Sequence, residues 1–225
     1  MNRGYFITAT GTDLGKTWLT AGVAQAGRAQ GRTVRALKPV MSGYDPASHA
    51  ASDAGKIGAG VTPWFFSAPL SPDLAAAKEG RHIDFAALCD WCQREVATHG
   101  DDLLLIEGVG GLMVPIDARH TVRDWIAALD LPVVLVCGTY LGALSHTLSA
   151  LAALREVGCV PAWLVINESA HSTVTIDDTV ASLRPHIGAL PVQVLRRDSA
   201  ADLAALAASL LGPGCSDRAE PEAGE

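Results

Sequence analysis

The segment Gly11-Thr12-Asp13-Leu14-Gly15-Lys16-Thr17 constrains the fold of this chain more than any other. A short apolar run over residues 5–8 precedes it, and a helical pattern over residues 17–30, ended by Gly31, follows it. A glycine-containing turn from strand to helix that closes on Gly-Lys-Thr is a phosphate-binding loop, because successive backbone N–H groups and the helix N-terminus together form an anion cradle. In that reading Lys16 sits on the terminal phosphates as an exposed ligand, and the Thr17 hydroxyl ligates Mg²⁺. The spacing is irregular. The position five residues before Gly15 is Thr10, and the earlier glycine is Gly11, so the turn is shaped differently from the regular loop of this kind.

The rest of the chain alternates in the same way. Apolar runs at 34–37, 103–106, 132–137, 162–166 and 191–195 read as strands. Residues 73–78, 85–98, 122–129, 143–157 and 200–211 read as helices, as do residues 174–183, stopped before Pro185. Strands that alternate with helices predict an α/β fold, doubly wound, with a mainly parallel sheet and helices on both faces. One domain is expected over residues 1–211, and residues 212–225, with almost nothing to bury, are expected to be a disordered tail. Residues 39–63 form a long polar stretch with Gly, Pro and Ser, and loops of that length usually have a function.

Hydrophobic residues make up 49% of the 225 and charged ones 18%, which fits a globular chain and excludes a disordered one. The net charge of −7 argues against binding to nucleic acid or to an anionic membrane, so positive charge for a polyphosphate must be concentrated locally. No apolar run reaches the ~18 residues of a membrane span, and residues 1–7 lack the apolar core of a signal peptide. Five cysteines, an odd number without a secretion signal, point to reduced thiols and a cytoplasmic protein. Cys89 and Cys92 form a C-x-x-C, read as two neighbours on one helix face because no second Cys/His pair completes a zinc site.

Three further positions carry chemistry. Glu107-Gly108-Val109-Gly110-Gly111 follows the apolar run Leu103-Leu104-Leu105-Ile106. An acid at the carboxyl end of such a strand meets Mg²⁺ directly or through water, and the glycines let backbone approach a ligand closely. Lys38, in Lys38-Pro39-Val40-Met41-Ser42-Gly43, ends the second strand on the edge where doubly wound sheets bind ligands. Read alone it is a surface lysine; at that edge it can stabilise charge on a transferring phosphoryl group. Asp53 lies in the long loop, and becomes a further metal ligand if that loop folds over the phosphates. No Ser/His/Asp or Cys/His arrangement stands out.

These pieces resemble the dethiobiotin synthetases. The resemblance runs from about residue 4 to about residue 211. It is carried by Thr8-Ala9-Thr10 together with the phosphate loop, by the Lys38 and Glu107 segments, by Ser52-Asp53-Ala54 and Ser71-Pro72, by Pro115 through Asp124-Trp125, and by Leu141-Gly142-Ala143-Leu144-Ser145-His146. It implies an ATP- and Mg²⁺-dependent ligase of biotin biosynthesis. The substrates are 7,8-diaminopelargonate and CO₂, joined and closed to dethiobiotin through a phosphorylated carbamate. It implies that Lys16 and Lys38 contact the γ-phosphate and the carbamate, and that Thr17, Asp53 and Glu107 hold Mg²⁺. Gly11, Thr12, Asp13, Leu14 and Gly15 would cradle the nucleotide, and Asn167 would contact its base. Thr12, Ser42 and Gly110 would lie near the diamine. It further implies a homodimer in which Gly142, Ala143, Leu144 and Ser145 of one subunit bind the substrate carboxylate in the other subunit's site. His146, one residue on, reads as a helix-packing histidine.

The chain departs from the family pattern at Ala9 and Gly11, at Asp13 where Glu is commoner, and at Ser145 where Asn is frequent. Residues 190–195 also lack the Gly-x-Ile-Pro pattern that helps hold the base. The alternative is a partner-regulated P-loop ATPase of the partition or positioning type. Such proteins usually carry an extra lysine early in the loop, where this chain has Ala9, Thr10 and Gly11.

Overall fold

A computed structural model of the chain describes residues 3–172 and 174–212. The strands that build its main sheet are β1 (Arg3–Ala9), β2 (Val34–Leu37), β5 (Leu103–Glu107), β6 (Val133–Cys137), β7 (Trp163–Asn167) and β8 (Val192–Leu195). Their order is β2-β5-β1-β6-β7-β8, and every pairing is parallel. The central strands are buried along their whole length, which is why they read as unbroken apolar runs and not as alternating ones.

Helices cover both faces. Helix α1 (Lys16–Ala29), the short α2 (Asp53–Ile57) and α8 (Ala200–Leu211) pack one face, with Leu19, Val23, Ile57 and Leu206 in the core. Helices α3 (Pro72–Lys78), α4 (Phe85–Thr98), α5 (Val122–Leu129), α6 (Ala143–Glu156) and α7 (Ile176–Ile187) pack the other. There Trp125 of α5 is fully buried and meets Phe6 of β1 edge-on, ring centroids 4.9 Å apart. The expected doubly wound parallel sheet is the observed one.

Two local expectations fail. Residues 39–63 are not a bare loop. Val40–Ser42 (β3) pairs in parallel with Trp64–Phe66 (β4) in a second, two-stranded sheet, and a 3-10 helix (Pro46–Ala51) leads into α2. The apolar content of this stretch is too short and too scattered for periodicity to register. Helix α7 also runs through Pro185 to Ile187. A proline in the last turn removes one intrahelical hydrogen bond, but Leu183 and Ile187 are buried against the core. The Arg184 guanidinium also donates to the carbonyls of Gly188 and Leu190, at 3.1 Å each, and closes the end. Of the expected disordered tail, residues 213–225 lie outside the described residues. Cys89, Cys92 and Cys137 are buried free thiols. Burial pushes Cys89 up to about 11 and Cys92 to about 12, so the C-x-x-C carries no reactive thiolate at neutral pH.

Candidate active site

The site lies at the carboxyl ends of β1, β2 and β5. Gly15 is the N-cap of α1 with φ of 89°, a left-handed conformation open to glycine. Asp13 also has positive φ, 57°, which a short polar side chain tolerates better than most. The loop therefore turns sharply without a glycine at Thr10. Its neighbour is equally close: a Cβ on Gly111 would lie 2.9 Å from Gly11 Cα. Leu112 N donates to Ala9 O at 2.8 Å and Gly108 N to Ile7 O at 2.9 Å, so the two glycine-bearing segments are bound side by side.

Four charged side chains converge here. Strand pairing sets Leu37 opposite Ile106, so Lys38 and Glu107 follow at adjacent strand ends. Lys38 is 2% exposed and Glu107 0%. Lys38 Nζ lies 2.6 Å from Glu107 Oε1, donates to Gly108 O at 2.9 Å, and lies 3.1 Å from Asp53 Oδ2. Lys38 is thus no surface lysine. Thr17 Oγ1 donates to the same Glu107 oxygen at 2.8 Å. The other oxygen, Oε2, is buried with no hydrogen-bond partner. Burial raises the Asp53 carboxyl. The charge of Lys38 and hydrogen bonds from Lys38 and Thr17, with the charge of Lys56, outweigh that and hold it below the usual range.

Lys16, expected as an exposed ligand, is 7% exposed, and its Nζ donates to Gly11 O at 3.3 Å. Burial, with the nearby charge of Lys38, lowers its pKa from the ordinary 10.5 to about 8, against the opposing pull of Glu107, Asp53 and Asp13. An ammonium held at this cost is positioned to gain from an incoming anion.

A cavity of about 860 Å³ opens over these groups. Thr12, Asp13, Gly15, Lys16, Thr17, Lys38, Ser42, Asp53 and Gly110 line it, so nine of the expected site residues come together. The Ser42 hydroxyl oxygen is buried without a hydrogen-bond partner. Sequence reading missed Lys56, Pro69, Leu70 and Val114 on its wall. Ser71-Pro72, a helix start, was the one signal that this wall existed. Asn167, at the end of β7, is placed against the phosphate loop, its Nδ2 donating to Leu14 O at 2.9 Å.

Gly142, Ala143, Leu144 and Ser145 do not line this cavity. Gly142 is the N-cap of α6, and the first turn faces outward, with Leu141 86% and Leu144 40% exposed. His146 is exposed too and is not packed under the helix: its Nδ1 meets the Tyr140 hydroxyl at 2.7 Å. It borders a second, smaller cavity of about 330 Å³ with Thr10, Gly11, Thr12 and Met113. No helix among the described residues is long and apolar enough to cross a membrane.

Residues 3–197 match the family model described as an AAA domain. An ATP-dependent dethiobiotin synthetase BioD from Acidiphilium cryptum is 48% identical over 208 residues, covering 87% of this chain and 93% of that protein. The corresponding protein of Methylobacterium nodulans is 41% identical over 207 residues, covering 85% and 92%. Among solved structures, the hydrogenase maturation factor HypB from Archaeoglobus fulgidus aligns with a TM-score of 0.57 at 16% identity, covering 94% of this chain and 91% of that one. The MinD cell division protein of Aquifex aeolicus aligns at 0.54 and 14% identity, covering 91% and 86%. At such identities these two structures speak for the fold alone.

Proposed function

This chain belongs to the ATP-dependent dethiobiotin synthetase family, and from that premise we propose that it closes the cyclic urea of dethiobiotin from 7,8-diaminopelargonate, CO₂ and ATP, in the cytoplasm. The observation that carries the reading is the convergence of Lys16, Lys38, Thr17 and Asp53 on one cavity at the strand ends, with Glu107 buried behind it and held by Thr17 and Lys38.

The chemistry asks for charge neutralisation and close placement. One amine adds to CO₂ and loses a proton to give a carbamate. A carbamate oxygen attacks the γ-phosphorus and ADP leaves, forming a carbamic–phosphoric anhydride. The second amine then attacks the carbonyl carbon and gives up a proton, and phosphate departs. The carbamate is a weak nucleophile, so orientation and electrostatic stabilisation supply most of the rate. Nothing here needs a side-chain nucleophile.

The residues present suit each demand. The turn through Gly15 and the start of α1 hold the phosphates, with Lys16 on the terminal ones. Lys38 sits between Glu107 and Asp53, where its ammonium faces the cavity shared by both substrates. Thr12, Ser42 and Gly110 line that same cavity for the diamine. The unpartnered Glu107 Oε2, with the Thr17 hydroxyl and Asp53, makes an oxygen set suited to Mg²⁺. Among the described residues no group of three His, Cys, Asp or Glu gathers as a metal cage. Two carboxylates and a hydroxyl fit an ion whose remaining positions go to phosphate and water. When bound, Mg²⁺ neutralises charge on the phosphate oxygens.

We assign the diamine carboxylate to the first turn of α6 in a second subunit. The outward-facing Leu141 and Leu144 and the absence of this turn from the cavity support a homodimer with a shared site. Incubating the protein with ATP, Mg²⁺, the diamine and ¹³C-bicarbonate tests the function. Labelled dethiobiotin, formed only when all components are present, is the expected product. ATP hydrolysis without dethiobiotin would favour a partner-regulated switch.

A further inference from the structure

Asn167 makes a contact that reading a nucleotide base does not require. From the end of β7 its amide reaches across to the phosphate loop and donates to the Leu14 carbonyl at 2.9 Å. That carbonyl belongs to the peptide that joins Leu14 to Gly15. A Cβ on Gly15 would collide with the same Nδ2, so the amide packs directly on the turn.

The peptide plane links the two ends of this unit. In a trans peptide the C=O and the N–H point in opposite directions. Holding the Leu14 carbonyl on one side therefore directs the Gly15 N–H to the other. Glycine leaves this plane unusually free to rotate, because it tolerates φ of either sign. Gly15 has φ of 89° and N-caps α1, and it lines the cavity next to Lys16 and Thr17. A turn that needs glycine for its shape also needs an outside contact to fix its orientation.

The Asn167 backbone is itself anchored. Glu168 N donates to Leu195 O at 2.9 Å. Ser169 and Thr139 exchange two hydrogen bonds, each backbone N–H donating to the other's hydroxyl at 3.0 Å. The end of β7 is thus a rigid base from which the amide acts.

We propose that Asn167 is a positioning residue for the phosphate loop: by holding the Leu14 carbonyl it aims the Gly15 N–H and the start of α1 at a polyphosphate, whatever base that polyphosphate carries. The inference rests on the reading of the cavity as the ATP site.

The test compares ATP with inorganic tripolyphosphate, which has no base, by calorimetry in the presence of Mg²⁺. Wild type, Asn167→Ala and Asn167→Leu are measured. The leucine variant fills the same volume without a donor, and serves if alanine loosens the strand end. Loss of the hydrogen bond weakens both ligands by a similar factor, about 5-fold. The KM for the diamine stays near its wild-type value, and the melting temperature falls by no more than the loss of one hydrogen bond accounts for. Weakening of ATP alone, with tripolyphosphate unchanged, makes Asn167 a base contact only and overturns the inference, as does no change in either. A wild-type protein that binds neither ligand removes the phosphate site itself, and the positioning role with it.

Discussion

Lys38 Nζ and Glu107 Oε1 stand 2.6 Å apart at the ends of adjacent strands, both side chains buried. A buried pair of this kind adds little net stability, but removing one partner strands the other charge. Lys38→Ala and Glu107→Ala are each expected to lower stability by about 3 kcal/mol. The double variant should lose less than the sum, with a coupling of about 1–3 kcal/mol in a denaturant double-mutant cycle. Additive losses would mean that the two groups do not act as a pair.

Lys16→Ala has the opposite profile. Burial depresses this lysine, so its charge costs the fold something, and the variant should melt no lower than wild type. Turnover should fall by at least about 10²-fold, the usual effect of deleting one donor to developing negative charge. An active variant would remove Lys16 from the phosphate site.

The depressed Lys16 also predicts a pH dependence. Between about 8 and its ordinary 10.5 the folded chain binds fewer protons at Lys16 than the unfolded chain does. Its contribution to stability therefore rises with pH across that window, and its cost is fully present below about 8. A bound polyphosphate draws the pKa back up. Titrating ATP at pH 8.5 in buffers of differing ionisation enthalpy should show proton uptake, which Lys16→Met abolishes. Uptake that persists in Lys16→Met would trace the proton to another group.

The outward-facing start of α6 predicts a dimer. Analytical ultracentrifugation under assay conditions should give twice the chain mass. Leu144→Glu, which places a charge beside the exposed helix turn, should shift the protein toward monomer and raise the KM for the diamine more than that for ATP. A fully active monomer would contradict the shared site.

Much of this was legible in the sequence, for physical reasons. The central strands β5 and β6 are buried on both faces and so are apolar throughout. The amphipathic α4 and α5 and the apolar α8 show their own limits. Glu107 was legible because a carboxylate after four apolar residues has no packing reason to be there. What stayed hidden depends on distant partners. The burial of Lys38 follows from pairing with a strand 69 positions later, and the contact of Asn167 with Leu14 spans 153 positions. The elements between residues 39 and 63 are short, and they depend on partners elsewhere: β3 pairs with Trp64–Phe66, and Ile57 packs into the core beside α1.

The central claim is that this cavity transfers a phosphoryl group to a carbamate of the diamine. Single-turnover ADP release at saturating ATP, with and without 7,8-diaminopelargonate and bicarbonate, tests it most directly. The account predicts release that depends on both compounds in the wild type and is slowed by about 10²-fold or more in Lys38→Ala, with nucleotide affinity little changed. A wild-type rate indifferent to the diamine would contradict it.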